Sequence, residues 1–337
     1  MSKELLIGIT GNAVVFTDQD NFDVDTRFRL AKEYGFDYLD KTPPTGELEV
    51  YQRASEKYSL PIRCGGFYYT RNRDEELLIW HMRIAKELGT ILQNIQIKPK
   101  DHSGKFLTDQ DIAEVYLYAY ELGERFNVTP SFEVHINMWS EHFGRVVKVG
   151  EIVEKQGIKF NLTLDHSHVI FKIDNPIEQK IMGMKLDIDE GRLVLDPSKP
   201  ENVSFEWIDR NYVTHAHARP SIPANPINVW AKHPNGTYGR GVQYPFIRPQ
   251  IGEWHSPWKE ENLNPWKEVM RKLLRHHATN SNSRLGQISM EIIPAVDYGG
   301  GGKYSLIENN RACADWIRKE WAILQSTNIS SQGNNEN

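Results

Sequence analysis

Short apolar runs alternate with longer amphipathic patterns along the whole chain, and this alternation is the feature that most constrains the fold. Eight runs are rich in β-branched or aromatic residues and are bounded by Gly, Pro or polar residues, which is typical of strands. They cover residues 5–10, 36–40, 61–66, 91–97, 131–136, 160–165, 212–217 and 287–293. Eight strands that alternate with helices predict an α/β protein with a closed (β/α)8 TIM barrel, and a doubly wound sheet is the alternative.

The segments between these runs repeat apolar residues at helical spacing. The clearest helical patterns cover residues 27–34, 48–58, 75–88, 111–126, 146–155, 265–277 and 305–324. The segment Thr108-Asp-Gln-Asp111 predicts an N-terminal cap before one of these helices. Gly8 and Gly11 belong to the first strand region, but no G-x-G-x-x-G follows, so a dinucleotide-binding turn is not predicted.

We predict one barrel domain over residues 1–325, followed by a polar tail, 326–337, that is expected to be disordered. Two connections exceed ordinary loop length, 171–211 after the sixth strand and 218–264 after the seventh. The second insertion is rich in aromatic residues, which a disordered segment would lack. These are Trp230, Tyr238, Tyr244, Phe246, Trp254 and Trp258. Residues 218–264 are therefore interpreted as an ordered lid over the barrel mouth, with an oligomer contact as the alternative.

Charge and hydropathy exclude several classes of partner. The 337 residues carry a formal net charge of -5, so the chain has no basic excess to attract nucleic acid. No run of about 18 apolar residues is present, so no membrane span is expected. Two cysteines make no disulfide framework, and the N-terminus reads as a strand rather than a secretory signal, so a cytoplasmic location is expected.

In a (β/α)8 barrel the residues that carry function collect at the C-terminal ends of the strands. Strands five to eight each end with a carboxylate or an imidazole, at Glu133, Asp165, His217 and Glu291. Three carboxylates that point into one mouth would repel each other, and a divalent cation relieves that repulsion. A thiolate-free set of three carboxylates and one imidazole suits Mn²⁺, Mg²⁺, Fe²⁺ or Co²⁺ and does not require Zn²⁺.

These strand ends resemble the metal site of the xylose-isomerase-like sugar isomerase and epimerase superfamily, which consists of TIM barrels. The element Asp165-His-Ser-His168 is similar to the D-x-x-H of ketose 3-epimerases, in which the His contacts substrate. The element His215-Ala-His217 is similar to the seventh-strand histidine pair of those enzymes, in which the second His is a ligand. The resemblance implies that Glu133, Asp165, His217 and Glu291 hold one divalent metal, with Mn²⁺ preferred and Mg²⁺, Co²⁺, Fe²⁺ or Zn²⁺ as alternatives.

Two features depart from the epimerases. His135 follows Glu133 by two residues, so strand alternation points both side chains into the same mouth, where His135 is suited to act as general base. Residues 239–246 of the lid, Gly-Arg-Gly-Val-Gln-Tyr-Pro-Phe, resemble the larger (alpha) subunit of bacterial C-glycoside deglycosidases. That resemblance implies removal of the C2 proton of a 3-oxo-C-glucoside, followed by β-elimination of its aglycone. It also implies a smaller beta subunit as partner.

Other side chains near the strand ends have two interpretations each. His142 is a back-up base or a surface histidine. His168 and Arg219 are expected to hold sugar hydroxyls or to stabilise the enediolate. Gln243 and Arg240 each either reach the substrate or hold the lid in place.

Three alternative functions use the same barrel. The first is a sugar isomerase or ketose epimerase, which returns a product of unchanged mass, whereas elimination splits the substrate. The second is a multi-zinc apurinic endonuclease, which the net charge of -5 disfavours. The third is a sugar-binding or scaffold protein without activity, which the complete ligand set disfavours.

Overall fold

A computed structural model of the chain describes residues 3–299 and 303–333, with side chains as far as residue 327. Eight strands close into a barrel in chain order, and every pairing is parallel, including the one between the first and last strands. The strands are β1 Leu6–Thr10, β2 Leu39–Asp40, β3 Ile62–Tyr69, β4 Leu92–Ile97, β5 Thr129–Glu133, β6 Leu162–Leu164, β7 Val213–Ala218 and β8 Gln287–Met290. The predicted (β/α)8 barrel is confirmed, and the doubly wound alternative is wrong because β1 pairs with β8.

Helices follow the strands and cover the outside of the barrel. They are α1 Val24–Glu33, α2 Leu48–Tyr58, α3 Glu75–Leu88, α4 Asp109–Phe126, α5 Gly144–Glu154, α6 Ser167–Ile170, α7 Pro176–Ile181, α8 Lys185–Asp189, α9 Val203–Asp209, α10 Asn264–Thr279 and α11 Leu306–Gly333. The predicted cap at Thr108 is present as a capping box with Asp111, which satisfies exposed backbone donors at the start of α4. Within the described residues no helix is both long and apolar enough to cross a membrane.

Strand residues alternate between two environments. Side chains such as Phe132 and Leu162 are buried in the large apolar core, with Phe132 packed against Tyr116 of α4. The barrel interior is polar instead, with Ser131, Thr163 and Thr214 joined by hydroxyl hydrogen bonds of 2.9 and 3.4 Å. Because β side chains alternate faces, Glu133 lies on the same interior face as Ser131, one layer nearer the C-terminal mouth.

The connection 171–211 contains more regular structure than its sequence pattern predicts. Three short helices, α7 to α9, occupy it, and two of them begin at asparagine caps. The Asn175 side chain accepts from the Glu178 amide with Pro176 at the first helical position, and the Asn202 side chain accepts from the Ser204 and Phe205 amides. These are ordinary start signals, but each helix is too short to show a helical period.

The end of the chain differs from the prediction of a disordered tail over 326–337. Helix α11 continues to Gly333, and residues 334–337 lie outside the described part of the chain. The Ser326 and Thr327 hydroxyls donate to the Ile323 carbonyl at 2.8 and 2.9 Å. Hydroxyl side chains can thus form hydrogen bonds with the carbonyls of their own helix. A polar composition alone therefore did not end α11.

Candidate active site

The four predicted metal ligands meet at the C-terminal mouth of the barrel. One ligand atom each from Glu133, Asp165, His217 and Glu291 lies within 4.8 Å of every other. His217 Nδ1 is 2.9 Å from Glu133 Oε1 and 2.8 Å from Glu291 Oε2. The cluster forms because the C-terminal ends of parallel strands meet at one edge of the barrel. We call these four residues the carboxylate–histidine cluster.

The charge of this cluster favours a cation. Glu133 and Asp165 are fully buried and the Glu291 side chain is 13% exposed, while the guanidinium of Arg219 forms ion pairs with Asp165 and Glu291. Burial would lower the pKa of His217, but Glu291 and Glu133 outweigh it and raise that pKa well above its ordinary value. Glu291 Oε2 accepts no well-aligned hydrogen bond within the described structure. Three carboxylates and one imidazole that together carry an excess of negative charge therefore fit a divalent metal.

The second oxygen of Glu133 is held from β4. Asn94 Nδ2 donates to Glu133 Oε2 at 2.5 Å, and Gln96 Nε2 donates to the same atom. Asn94 and Gln96 are two residues apart and therefore share the interior face of β4. The sequence analysis missed both, although amides at two alternate positions of a buried strand were a usable signal.

His135 stands beside the cluster as a neutral base. Its Nδ1–H donates to the Ile136 carbonyl, so Nε2 carries the lone pair, which accepts a hydrogen bond of 2.5 Å from the Tyr298 hydroxyl. Burial lowers the pKa of His135 to about 4, so the ring is uncharged near neutral pH. Tyr298 follows the eighth strand and was also missed, because no local pattern links it to a residue 163 positions away.

A cavity of about 330 Å³ opens over this site. His135, His217, Glu291 and Tyr298 form one side of it. The rest is lined mainly by polar groups and by two aromatic rings, from Thr10, Asn12, Asp40, Lys41, Thr42, Phe67, Tyr68, Asn94 and Gln96. The volume and the many hydroxyl, amide and charged groups suit a small polar ligand.

His168 and Arg219 lie behind the cavity wall instead of lining it. The His168 ring is 4.7 Å from the His135 ring, and its Nε2 is 3.2 Å from Asp165 Oδ2. The Arg219 guanidinium is 3.9 Å from the centre of the Tyr298 ring. The side chains of His168 and Arg219 are both fully buried. Their contacts position Asp165, Glu291 and Tyr298. A direct contact of either residue with a sugar stays a prediction.

Gln243 and His142 do not line the cavity. The Gln243 side-chain amide donates to the Ile293 carbonyl at 2.8 Å and accepts from the Ile293 amide at 3.0 Å. These bonds connect the lid to the segment after β8, and the contact of Gln243 with substrate stays a prediction. The His142 ring lies beside Gly144 at the start of α5, and its role as a back-up base stays a prediction.

The lid, residues 218–264, packs beside the barrel mouth. Tyr244 and Trp254 join a buried apolar cluster with Val15, Ile222 and Tyr304, and no residue of 221–264 is among those that line the 330 Å³ cavity. Its backbone holds the segment after β8, since the Gly241 amide donates to the Asp297 carbonyl and the Gln243 amide to the Tyr298 carbonyl. The lid therefore supports Tyr298 from beside the barrel mouth.

No protein-family model matches this chain, and no curated protein matches it. Solved structures do match. The chain is similar to the 3-keto-D-glucoside 4-epimerase YcjR from E. coli, with 12% identity, a TM-score of 0.51, and 94% of this chain and 100% of that one covered.

Two further structures match over nearly their whole length. D-psicose 3-epimerase from Clostridium cellulolyticum H10 has 13% identity and a TM-score of 0.54, covering 94% of this chain and 99% of that one. The IolI protein with a bound zinc atom has 12% identity and a TM-score of 0.55, with the same coverage. At such identities the comparisons establish the fold, and the chain shares its (β/α)8 barrel with these proteins.

Proposed function

We propose that this chain is a divalent-metal-dependent sugar isomerase or epimerase that removes a proton from the carbon next to a sugar carbonyl. The observation that carries the proposal is the carboxylate–histidine cluster in the cavity wall, with the neutral base His135 beside it. The two similar epimerases act on keto sugars, which supports this class more than the deglycosidase. We keep Mn²⁺ as the preferred metal, although the similar IolI protein carries zinc.

Each residue has a role that its contacts allow. Glu133, Asp165, His217 and Glu291 would hold the metal, which when bound acts as a Lewis acid that stabilises negative charge on the carbonyl oxygen. His135 Nε2 takes the proton from carbon after its hydrogen bond to the Tyr298 hydroxyl breaks, since the other ring nitrogen is committed to the Ile136 carbonyl. Tyr298 orients that ring, and the polar side chains around the cavity would bind the sugar hydroxyls.

A second candidate is the catalytic subunit of a C-glycoside deglycosidase. One similar structure is an epimerase of a 3-keto-glucoside, the substrate class that this reading requires. In addition Phe67 and Tyr68 stack with centroids 4.8 Å apart beside the cavity, which offers apolar surface to an aromatic aglycone. His135 would take the C2 proton, the electron pair would form the C1–C2 double bond, and the aglycone would leave C1 and take up a proton. A smaller partner subunit would then be needed for full activity.

The first experiment measures bound metal in wild type and Asp165→Asn after reconstitution with Mn²⁺, Mg²⁺, Co²⁺ or Zn²⁺. We expect about one metal per chain in wild type and its loss in the variant, since the variant lacks a charged ligand. Absence of metal under all four conditions would overturn the proposal.

The second experiment incubates the metal-loaded protein in D₂O with a ketohexose panel, a 3-keto-glucoside and a 3-oxo-C-glucoside. Deuterium next to the carbonyl with an unchanged carbon skeleton supports the isomerase or epimerase. Release of the aglycone supports the deglycosidase instead. A metal-loaded protein that exchanges no substrate hydrogen contradicts both.

A further inference from the structure

A second buried polar layer adjoins the carboxylate–histidine cluster, and one of its members, Asp40, also lines the cavity. Asp40, at the end of β2, is its centre, although β2 is not adjacent to the strands that supply the cluster. Asp40 Oδ2 accepts from Ser289 Oγ at 2.8 Å and lies 3.2 Å from His217 Nε2 and 3.3 Å from His215 Nε2. Tyr38 supports the layer through a 2.9 Å hydrogen bond between its hydroxyl and Ser289 Oγ.

The two ring nitrogens of His217 therefore face different partners. Nδ1 points to Glu133 and Glu291 of the cluster, and Nε2 points to Asp40. A neutral imidazole carries one proton, on one nitrogen or the other. Only a proton on Nε2 leaves a lone pair on Nδ1, where a metal ligand needs it.

The chemistry of Asp40 selects that tautomer. An ionised carboxylate accepts hydrogen bonds and cannot donate, so it pairs with His217 only when Nε2 carries the proton. An asparagine at this position could turn its amide and donate to Nε2, which would favour the tautomer with no lone pair at Nδ1. Donation from Ser289 keeps the carboxylate in place, and Asp40 is only 6% exposed.

We propose that Asp40 is a positioning residue that holds His217 in the Nε2–H form and thereby strengthens divalent-metal binding at the carboxylate–histidine cluster. The inference rests on the proposed function in one respect, that the cluster binds a metal. Loss of such an outer partner of a ligating histidine typically weakens metal affinity about 10–100-fold.

The test titrates Mn²⁺ into the metal-free full-length chain and measures dissociation constant and stoichiometry for wild type, Asp40→Asn and Asp37→Asn. Asp37 is the matched control, because it is nearby on the chain but its carboxylate accepts from the Ile7 amide outside the cluster. We expect Asp40→Asn to keep one site with an affinity about 10–100-fold weaker, and Asp37→Asn to bind like wild type. If Asp40→Asn and wild type bind Mn²⁺ with equal affinity, the inference is wrong, although the proposed metal site is supported.

A different result would arise if Asp40 were itself a ligand. Asp40, Cys64 and His215 also place one ligand atom each within 4.8 Å of the others. Two metals per wild-type chain, one of them lost in both Asp40→Asn and Cys64→Ala, would overturn the positioning role. If the wild type binds no metal, both the proposed function and this inference are wrong. If the wild type binds metal and Asp40→Asn binds it equally well, only this inference is wrong.

A second measurement needs no substitution at Asp40 and so does not depend on the folding of that variant. Histidine nitrogen NMR of the Zn²⁺-loaded wild type reports the tautomer of His217, whose signals are assigned by their absence in His217→Gln. A proton on Nε2 supports the inference. A proton on Nδ1 contradicts it, whatever the titration gives.

Discussion

His135 and His217 are both buried imidazoles at the barrel mouth, yet their contacts give them opposite tasks. His135 Nδ1–H donates to the neighbouring Ile136 carbonyl, so Nε2 is the nitrogen that can accept a proton beside the cavity. His217 directs Nδ1 to the carboxylates, which leaves Nε2 for Asp40. The second partner of each ring, and not the residue type, decides which nitrogen can react.

The first prediction concerns the base. His135→Ala should lower turnover and carbon-bound deuterium exchange by about 10²–10⁴-fold, because a general base contributes about that much. Metal content should not change, since His135 is not one of the four predicted ligands. Steady-state kinetics and elemental analysis of the same sample measure both, and full turnover with bound metal would contradict the assignment.

The second prediction concerns the hydroxyl of Tyr298. Tyr298→Phe removes the 2.5 Å hydrogen bond to His135 Nε2 but keeps the ring that lies against the Arg219 guanidinium. A lost hydrogen bond of this kind corresponds to about a tenfold change in rate. We expect kcat to fall with Mn²⁺ affinity unchanged. An unchanged kcat would show that Tyr298 does not orient the base.

Between elements, the lid is attached to the segment after β8 by backbone contacts that tolerate only certain residues. A Cβ at position 239 would lie 1.8 Å from the Val296 carbonyl oxygen, so only glycine allows this approach. Arg240 next to it pairs with Glu141 and Glu178, which also pair with the buried Lys172. The motif at 239–246 is thus an attachment of the lid to three other segments.

The third prediction follows from that close approach. Gly239→Ala should lower the free energy of unfolding by about 1–3 kcal/mol, as overpacking does, and should lower activity by displacing Tyr298. The control is Gly286→Ala, because a Cβ at position 286 meets nothing within 4 Å. Denaturant titration of both variants is the measurement, and equal stability would contradict the predicted clash.

The fourth prediction concerns acid. Burial opposes ionisation of Glu141, but the Arg240 hydrogen bond and the Lys172 charge outweigh it and lower its pKa from 4.5 to about 2. A lowered folded-state pKa stabilises the protein above the unfolded-state pKa, and this contribution is lost as the pH falls from about 5 towards 2. Metal-free Glu141→Gln should be less stable at pH 7 and lose less stability between pH 5 and 3. Thermal melts over that range measure the slope, and parallel curves would contradict the prediction.

Across the whole molecule, the barrel combines an apolar layer between strands and helices with a polar interior. At its C-terminal mouth the interior holds buried carboxylates whose negative charge exceeds the positive charge beside them. The free energy of unfolding therefore depends on what neutralises that charge. A metal that binds only the folded state adds RT ln(1 + [L]/Kd) to stability, about 2.7 kcal/mol at 100 times Kd.

The fifth prediction is that Mn²⁺ raises the Tm of wild type and that chelation reverses this. Asp165→Asn should melt at the same temperature with and without Mn²⁺, because its site lacks one charged ligand. Differential scanning fluorimetry provides the comparison. A variant that responds like wild type would mean that Mn²⁺ binds elsewhere.

Periodicity and strand ends are properties of neighbouring residues, so the sequence alone determined the eight strands, their order and the meeting of Glu133, Asp165, His217 and Glu291. Parallel strands of a barrel necessarily bring their C-terminal ends together, and this made the clustering of these four residues predictable. The pairing of His135 with Tyr298, of His217 with Asp40 and of Gln243 with Ile293 depended on the tertiary structure. Each of these contacts joins residues at least 50 positions apart through side-chain direction and loop path, which no local pattern encodes.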